Sequence, residues 1–241
     1  MNNDSVDQQL LQIATNTAPS TIADVISTME QIDALLPGND GLKWFNLLYL
    51  MVTQQVDSKP PVGGWKNPTW LTRLDVVFAS LYFAAIKSYL SNDGGTATSW
   101  DALFESRFTP GVDRIQFALA GMNAHINHDL ALALVQTDAE LSLTLDRNSP
   151  EHDDFEQVNG LLEQVLPIAL QFLSAGPLGE LAEDTGKIGR ILAIWNVRLA
   201  RDLAWDFADH LVKLNPLERT VALLAQDRLT GVIGRSLLLI K

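Results

Sequence analysis

His125 and Asp129 stand four residues apart in GMNAHINHDLALAL, residues 121–134. On a helix that spacing puts an imidazole and a carboxylate on one face. Such a pair can do three kinds of work. It can bind a metal through neutral imidazole and carboxylate. It can run acid–base chemistry, with Asp129 orienting the His125 ring and Asn127 donating a hydrogen bond to a ligand. Or it can only satisfy buried polar groups in a packed core. Gly121 and Met122 lie one turn earlier and Leu132 near one turn later. A face that is polar in its middle and apolar at its ends describes a buried or cleft-facing site. His128 either joins that site or faces solvent, and solvent is the expectation.

A second set lies in IWNVRLARDLAWDFADHL, residues 194–211. Trp195, Arg198, Asp202, Trp205 and Asp209 follow spacings of three, four, three and four, which form one helical stripe, with Arg201 beside it. Arg198 and Asp202 can pair with each other or reach across to Asp129 and His125. As a binding site, Arg198 or Arg201 would face an anionic or carbonyl group between Trp walls. As structure, the same residues would form a buried ion-pair network that fixes helix register. Asp202 could also be a third ligand, so that His125, Asp129 and Asp202 hold a mononuclear metal.

Three further features bear on a site. Asp75, in RLDVVFASLYF, is a lone carboxylate in an apolar run and needs a partner from another helix. Arg114, Arg198 and Arg201 are the candidates, with Tyr82 a nearby hydroxyl. Trp44, Asn46 and Tyr49 in GNDGLKWFNLLYLMVTQQV either line a pocket or belong to the core. The PPVGGW loop after them is either a lid or a connector. His152 and His210 sit among acids and read as surface residues.

The elements that must position these groups are helices. Asn67-Pro68, Thr109-Pro110, Ser149-Pro150 and Asn215-Pro216 each set a capping side chain before a proline. Glu218 completes a capping box with Asn215, and Ser20 caps another helix. The pattern predicts helices near 5–16, 20–35, 41–57, 68–91, 99–106, 110–141, 150–175, 187–213 and 216–239. Pro167 should kink the seventh of them. No strand, repeat or linker is visible. The expectation is a single all-α domain over 1–241, a bundle of eight or nine helices, with residues 1–18 a candidate peripheral segment.

Composition narrows the function classes. Hydrophobic residues make up 47% of 241, enough for a large core. Net charge is −12, and the first 42 residues hold six acids and no Lys or Arg. That balance argues against a nucleic-acid partner and against an anionic membrane surface. Cysteine is absent, so disulfides, thiolate ligands and Cys nucleophiles are excluded. The polar, acidic start MNNDSVDQQLLQ lacks the pattern of a signal peptide, and no apolar run reaches the length of a membrane span. A cytoplasmic location is expected. Phosphate-binding and dinucleotide glycine loops, a G-x-S-x-G elbow and H-E-x-x-H are all missing.

MNAHINHDLALAL, together with WNVRLARDLAW, LKWFNLLYLMVT and RLDVVFASLYF, resembles the bacterial family catalogued as domain of unknown function 5995. The resemblance spans Leu36 to Leu211 and implies a single helical domain with an H-I-N-x-D-L signature. Carried onto this chain, the signature falls on His125, Asn127 and Asp129, and the second element on Trp195, Arg198, Arg201, Asp202 and Trp205. The resemblance implies no particular reaction. A more distant similarity is to zinc-dependent phospholipase C and nuclease bundles, which use an H-x-x-x-D pair. Their next ligand would fall on Ala133, so a trinuclear zinc site is not expected.

The expectation from sequence is an enzyme of isomerase, cyclase or hydrolase type acting on a small apolar molecule. A non-catalytic carrier or sensor of such a molecule is the alternative. A packing protein whose polar cluster locks its helices is another.

Overall fold

Side-chain caps start most of the helices, and the computed structural model shows which capping residues act. It describes residues 3–174 and 196–240, and the regular elements within them are all helical. They are α1 (Asn3–Asn16), α2 (Ile22–Leu35), α3 (Gly41–Ser58), α4 (Pro68–Ser91), α5 (Thr98–Ser106), α6 (Arg114–Ala124), α7 (Leu130–Leu141), α8 (Pro150–Ser174), α9 (Val197–Lys213) and α10 (Pro216–Leu238). Between α6 and α7 runs a π-helical turn, His125–Asp129. The fold is all-α. Asn67 and Asn215 cap α4 and α10 ahead of their prolines. Two expected starts move. Thr21, not Ser20, caps α2, in a box with Asp24. The Thr109-Pro110 site starts no helix, because Gly111 follows at φ +79° and turns the chain. The helix begins instead after Asp113, whose N–H donates to Gln116. Pro167 remains inside α8, since that helix continues to Ser174. The expected start at residue 187 lies outside the described residues.

One large apolar cluster runs through the described helices. Trp70, Trp100, Trp205, Tyr82, Phe45 and Phe83 are its largest fully buried side chains. Helix α1 is part of it, because Val6, Leu10 and Ala14 are buried. Helix α4 has the length and hydropathy of a membrane span, but 56% of its most apolar window is buried among the other helices.

Two polar devices hold the helices around the later site. Arg107 and Asp40 form a buried ion pair joining the end of α5 to the start of α3. Asp40 also accepts from the Leu42 N–H at 3.0 Å, so one carboxylate caps α3 and neutralises the arginine. Asp227 of α10 accepts from the Thr98 and Ser99 N–H groups at 2.9 and 2.8 Å. It caps α5 from another helix, where a negative charge meets unpaired N–H groups. Close approach of α10 to α5 depends on Gly231, where a β-carbon would overlap the Thr98 backbone.

Candidate functional site

The π turn falls on HINHD, the polar centre of the long helical segment. The Leu130 N–H donates to the His125 carbonyl five residues back, the signature of a turn widened by one residue. Such turns are rare and concentrate at functional sites. The turn before it packs tightly, because Gly121 lets the Phe45 ring lie where a β-carbon would be.

His125 is 1% exposed. Its ring lies flat on Phe78, with centroids 3.5 Å apart and planes 5° apart, and meets Tyr49 edge-on at 4.6 Å. Nδ1 lies 2.9 Å from Asp129 Oδ2. The Asp129 carboxylate also accepts from Trp100 Nε1 at 3.0 Å and faces His128 Nδ1 at 2.8 Å. Beyond His128, its Nε2 lies 3.9 Å from Asp227. A buried chain therefore runs His125–Asp129–His128–Asp227, with Trp100 bracing its second member.

Burial and partners assign the charges along this chain. Burial would push the Asp129 carboxyl up, but the hydrogen bonds and positive character of His125 and His128 hold it below the ordinary range. Burial pulls His125 below its ordinary value more strongly than Asp129 raises it, so the ring is neutral at pH 7. Burial pulls on His128 too, but the Asp129 bond and charge, with Asp227, outweigh it and hold it above its ordinary value. Facing an ionised carboxylate, His125 Nδ1 carries the proton, which leaves Nε2 with a free lone pair.

That Nε2 is buried and has no hydrogen-bond partner. His125 lines a cavity of about 60 Å³ between α3, α4, the π turn, α8 and α9. Its walls are mainly apolar, with Val52, Leu71, Phe78, Met122, Ile126 and Val158 among them. Asp75 Oδ2 on the same lining also lacks a partner, and Tyr49 Oη and Thr53 Oγ1 there have none besides each other. Asp75 is partly buried, and loss of solvation, with the Asp57 charge, pushes its carboxyl up to about 7. Burial, then the Asp75 and Asp129 charges, push the Tyr49 hydroxyl well up. Buried polar atoms are nearly always paired, so two unpaired ones and a hydroxyl pair with no other partner around one apolar cavity form an unusual concentration.

Arg201 closes the cavity from α9. It donates to Asn159 Oδ1 and the Phe155 carbonyl, both at 2.8 Å, and its guanidinium lies over the Phe155 ring. Burial pulls it down to about 10, opposed by the Glu156 charge, and it stays charged at pH 7.

This geometry sorts the residues expected from sequence. His125, Asp129 and Arg201 come together. Asn127 bonds Asn123 at 2.9 Å, and its carbonyl accepts from Gln226, away from the cavity lining. His128, expected in solvent, is partly buried and joins the chain because the carboxylate of its neighbour Asp129 lies 2.8 Å from its Nδ1. Arg198 and Asp202 do not face His125. Arg198 is exposed beside Glu163 and Glu156, and Asp202 binds Arg147 at 2.8 Å. Ionic partners from neighbouring segments capture both, so the proposed shared His/Asp/Arg/Asp constellation does not assemble. The metal set His125, Asp129 and Asp202 fails for the same reason, and both Asp129 oxygens already have partners.

The aromatic expectations also change. Trp205 packs on Trp70, Phe155 and His152 in the core, off the cavity. Trp44 carries Arg114 over its ring, and Asn46 ties the Met29 carbonyl to the Tyr82 hydroxyl. Trp195 lies outside the described residues. His152 is buried rather than on the surface, because Trp205 covers it; His210 is exposed. The PPVGGW loop does not line the cavity, and the N–H groups just past it, of Lys66 and Asn67, are held by Asp154. None of the arginines expected to pair with Asp75 does so among the described residues. Trp100 and Asp227 were not expected; an indole in TSWDALF and an acid inside the last helix were the only signals for them.

Among the described residues one group has donor atoms close enough to share a cation. His152, Glu156 and Asp202 offer ligand atoms within 4.8 Å of one another. The Arg147 guanidinium already bonds Asp202 and lies 3.4 Å from His152 Nε2.

The family of unknown function DUF5995 matches residues 22–240, nearly the whole chain, including the π turn and all the cavity's walls. The chain belongs to that family. Comparison with curated proteins and with solved structures found no match. The match extends beyond the Leu36–Leu211 stretch expected from sequence, into α2 and through α10, the helix that supplies Asp227.

Proposed function

We propose that the protein binds a small, largely apolar molecule in the His125 cavity and transfers a proton to or from it. The observation that carries this reading is the unpartnered His125 Nε2 on an apolar cavity, with Nδ1 locked on Asp129. A neutral imidazole with its lone pair free is a general base, and the carboxylate behind it stabilises the imidazolium that forms. Asp75, with its carboxyl near neutrality, and the Tyr49 hydroxyl are proton donors on the same lining. A base and an acid on one small cavity suit an isomerisation. His125 takes a proton from one position of the ligand, Asp75 gives one to another, and return of the proton from the His125 imidazolium to the Asp75 carboxylate resets the pair, so no second reactant is needed.

The test is a thermal-shift screen of small apolar molecules on the purified protein, followed by mass spectrometry of each hit after incubation. Conversion that stops in His125→Gln, with the hit still bound, supports the enzyme. Binding without conversion by the wild type points to a carrier. Absence of any hit overturns the cavity as a binding site.

A second reading, a purely structural cluster, has Trp100 and Asp227 in its favour, since both tie the chain of groups to α5. It leaves the unpaired His125 Nε2 and Asp75 Oδ2 unexplained.

A further inference from the structure

The geometry points to a small apolar monocarboxylate as the ligand, with its carboxylate on Arg201 and its tail along the Phe78 side of the cavity. This rests on the reading of the cavity as a small-molecule site and names its substrate class. The first observation is Arg201. It is 6% exposed and lines the cavity, and among the described residues no carboxylate lies within ion-pair distance of it. Its two bonded partners, the Phe155 carbonyl and the Asn159 side-chain oxygen, are neutral. Glu156, whose charge acts on it, makes no ion pair with it and is held by Arg198 and the Asn159 amide instead. A buried guanidinium is strongly disfavoured unless an anion meets it.

The second observation is the set of donors. Tyr49 and Thr53 present hydroxyls that meet only each other on the same lining. A guanidinium fork and two hydroxyls match the acceptor sites of a carboxylate.

The remaining wall selects against other anions. Val52, Val56, Leu74, Ile126, Leu130 and Leu162 offer nothing to a polyanion. One permanent cation on the lining balances one negative charge, not the two of a phosphate monoester. The acidic groups facing the site also argue for a single charge. Asp75 lies on the lining, and Asp129 stands behind His125.

Calorimetry would compare butyrate, hexanoate and octanoate, each with its amide, on the full chain at pH 7, with hexylamine as the cationic control. Arg201→Gln, which keeps length and a donor, would be measured in parallel. The expected result is that at least one acid binds about tenfold more tightly than its amide, as for a charge-assisted bidentate contact, and that Arg201→Gln removes the difference. Hexylamine should not bind. Amides binding as well as the acids, or hexylamine binding best, overturn the carboxylate inference and leave the cavity reading standing. Failure of every acid, amide and amine in the wild type overturns both. A preference for acids that survives in Arg201→Gln overturns the assignment to Arg201.

Discussion

Arg107 and Arg201 are both withdrawn from solvent, at 3% and 6% exposure. Around Arg107 the charge is closed. Asp40 bonds it from two oxygens and Asp7 adds a third contact at 3.0 Å. Burial works against its proton, yet those bonds and charges raise its affinity for it. The groups bonded to Arg201 are neutral, and burial lowers it to about 10 against the raising charge of Glu156. The two carboxylates compare in the same way. Asp40 has a guanidinium and a helix N-terminus, whereas Asp75 Oδ2 has no partner. Closed networks of this kind join elements. Open ones around an apolar cavity leave bonds for something else to make.

The largest effect should come from opening the closed network. Arg107→Leu leaves Asp40 buried without its cation and should lower stability by about 3–5 kcal/mol in urea unfolding. Arg201→Leu should stay within about 1 kcal/mol of wild type, because removal of an uncompensated charge offsets two lost hydrogen bonds. Equal losses in the two variants would break the contrast.

Asp129→Asn comes next. It weakens three contacts at once, and a loss of about 3 kcal/mol is expected. It should also move His128. In the wild type the raised His128 value adds stability that is complete below about 6.5 and fades as pH rises through the folded value. The lowered Asp129 value adds stability above about 3.8 that fades in acid. Imidazole NMR of the variant should show His128 titrating lower than in the wild type. An unmoved His128 would detach it from the chain.

Asp75→Asn sharpens the open side. A carboxyl raised from 3.8 to about 7 favours the folded state below 3.8, and that advantage is lost as pH climbs through 7. The variant should therefore gain up to about 4 kcal/mol at pH 8 and little at pH 4. Melting curves with the same gain at both pH values would show that Asp75 is not buried as a charge. The smallest effect belongs to Arg198→Ala, expected within about 0.5 kcal/mol because its two glutamate contacts are on the surface. A larger loss there would return Arg198 to the site.

Much of this architecture was legible in local chemistry. Asn67 and Asn215 before prolines start α4 and α10, and the missing strand signals match an all-helical fold. The His125–Asp129 bond was legible for the same reason, since both partners lie within one turn. The π turn was not, because no residue type specifies it. Arg198 and Asp202 read as site residues because a helical stripe names a face but not its neighbour, and Arg147 and Glu163 come from other segments.

The sequence by itself determined most of the helices, the caps that a helix's own flanking residue supplies at Asn67 and Asn215, and the His125–Asp129 pair, because those depend on a few covalently close residues. Only the tertiary structure decided which charges would be closed and which left open. Asp75, Tyr49, His125 and Arg201 come from three separate helices and the π turn. Whether each finds a partner depends on how those helices cross, and that is set by the whole core.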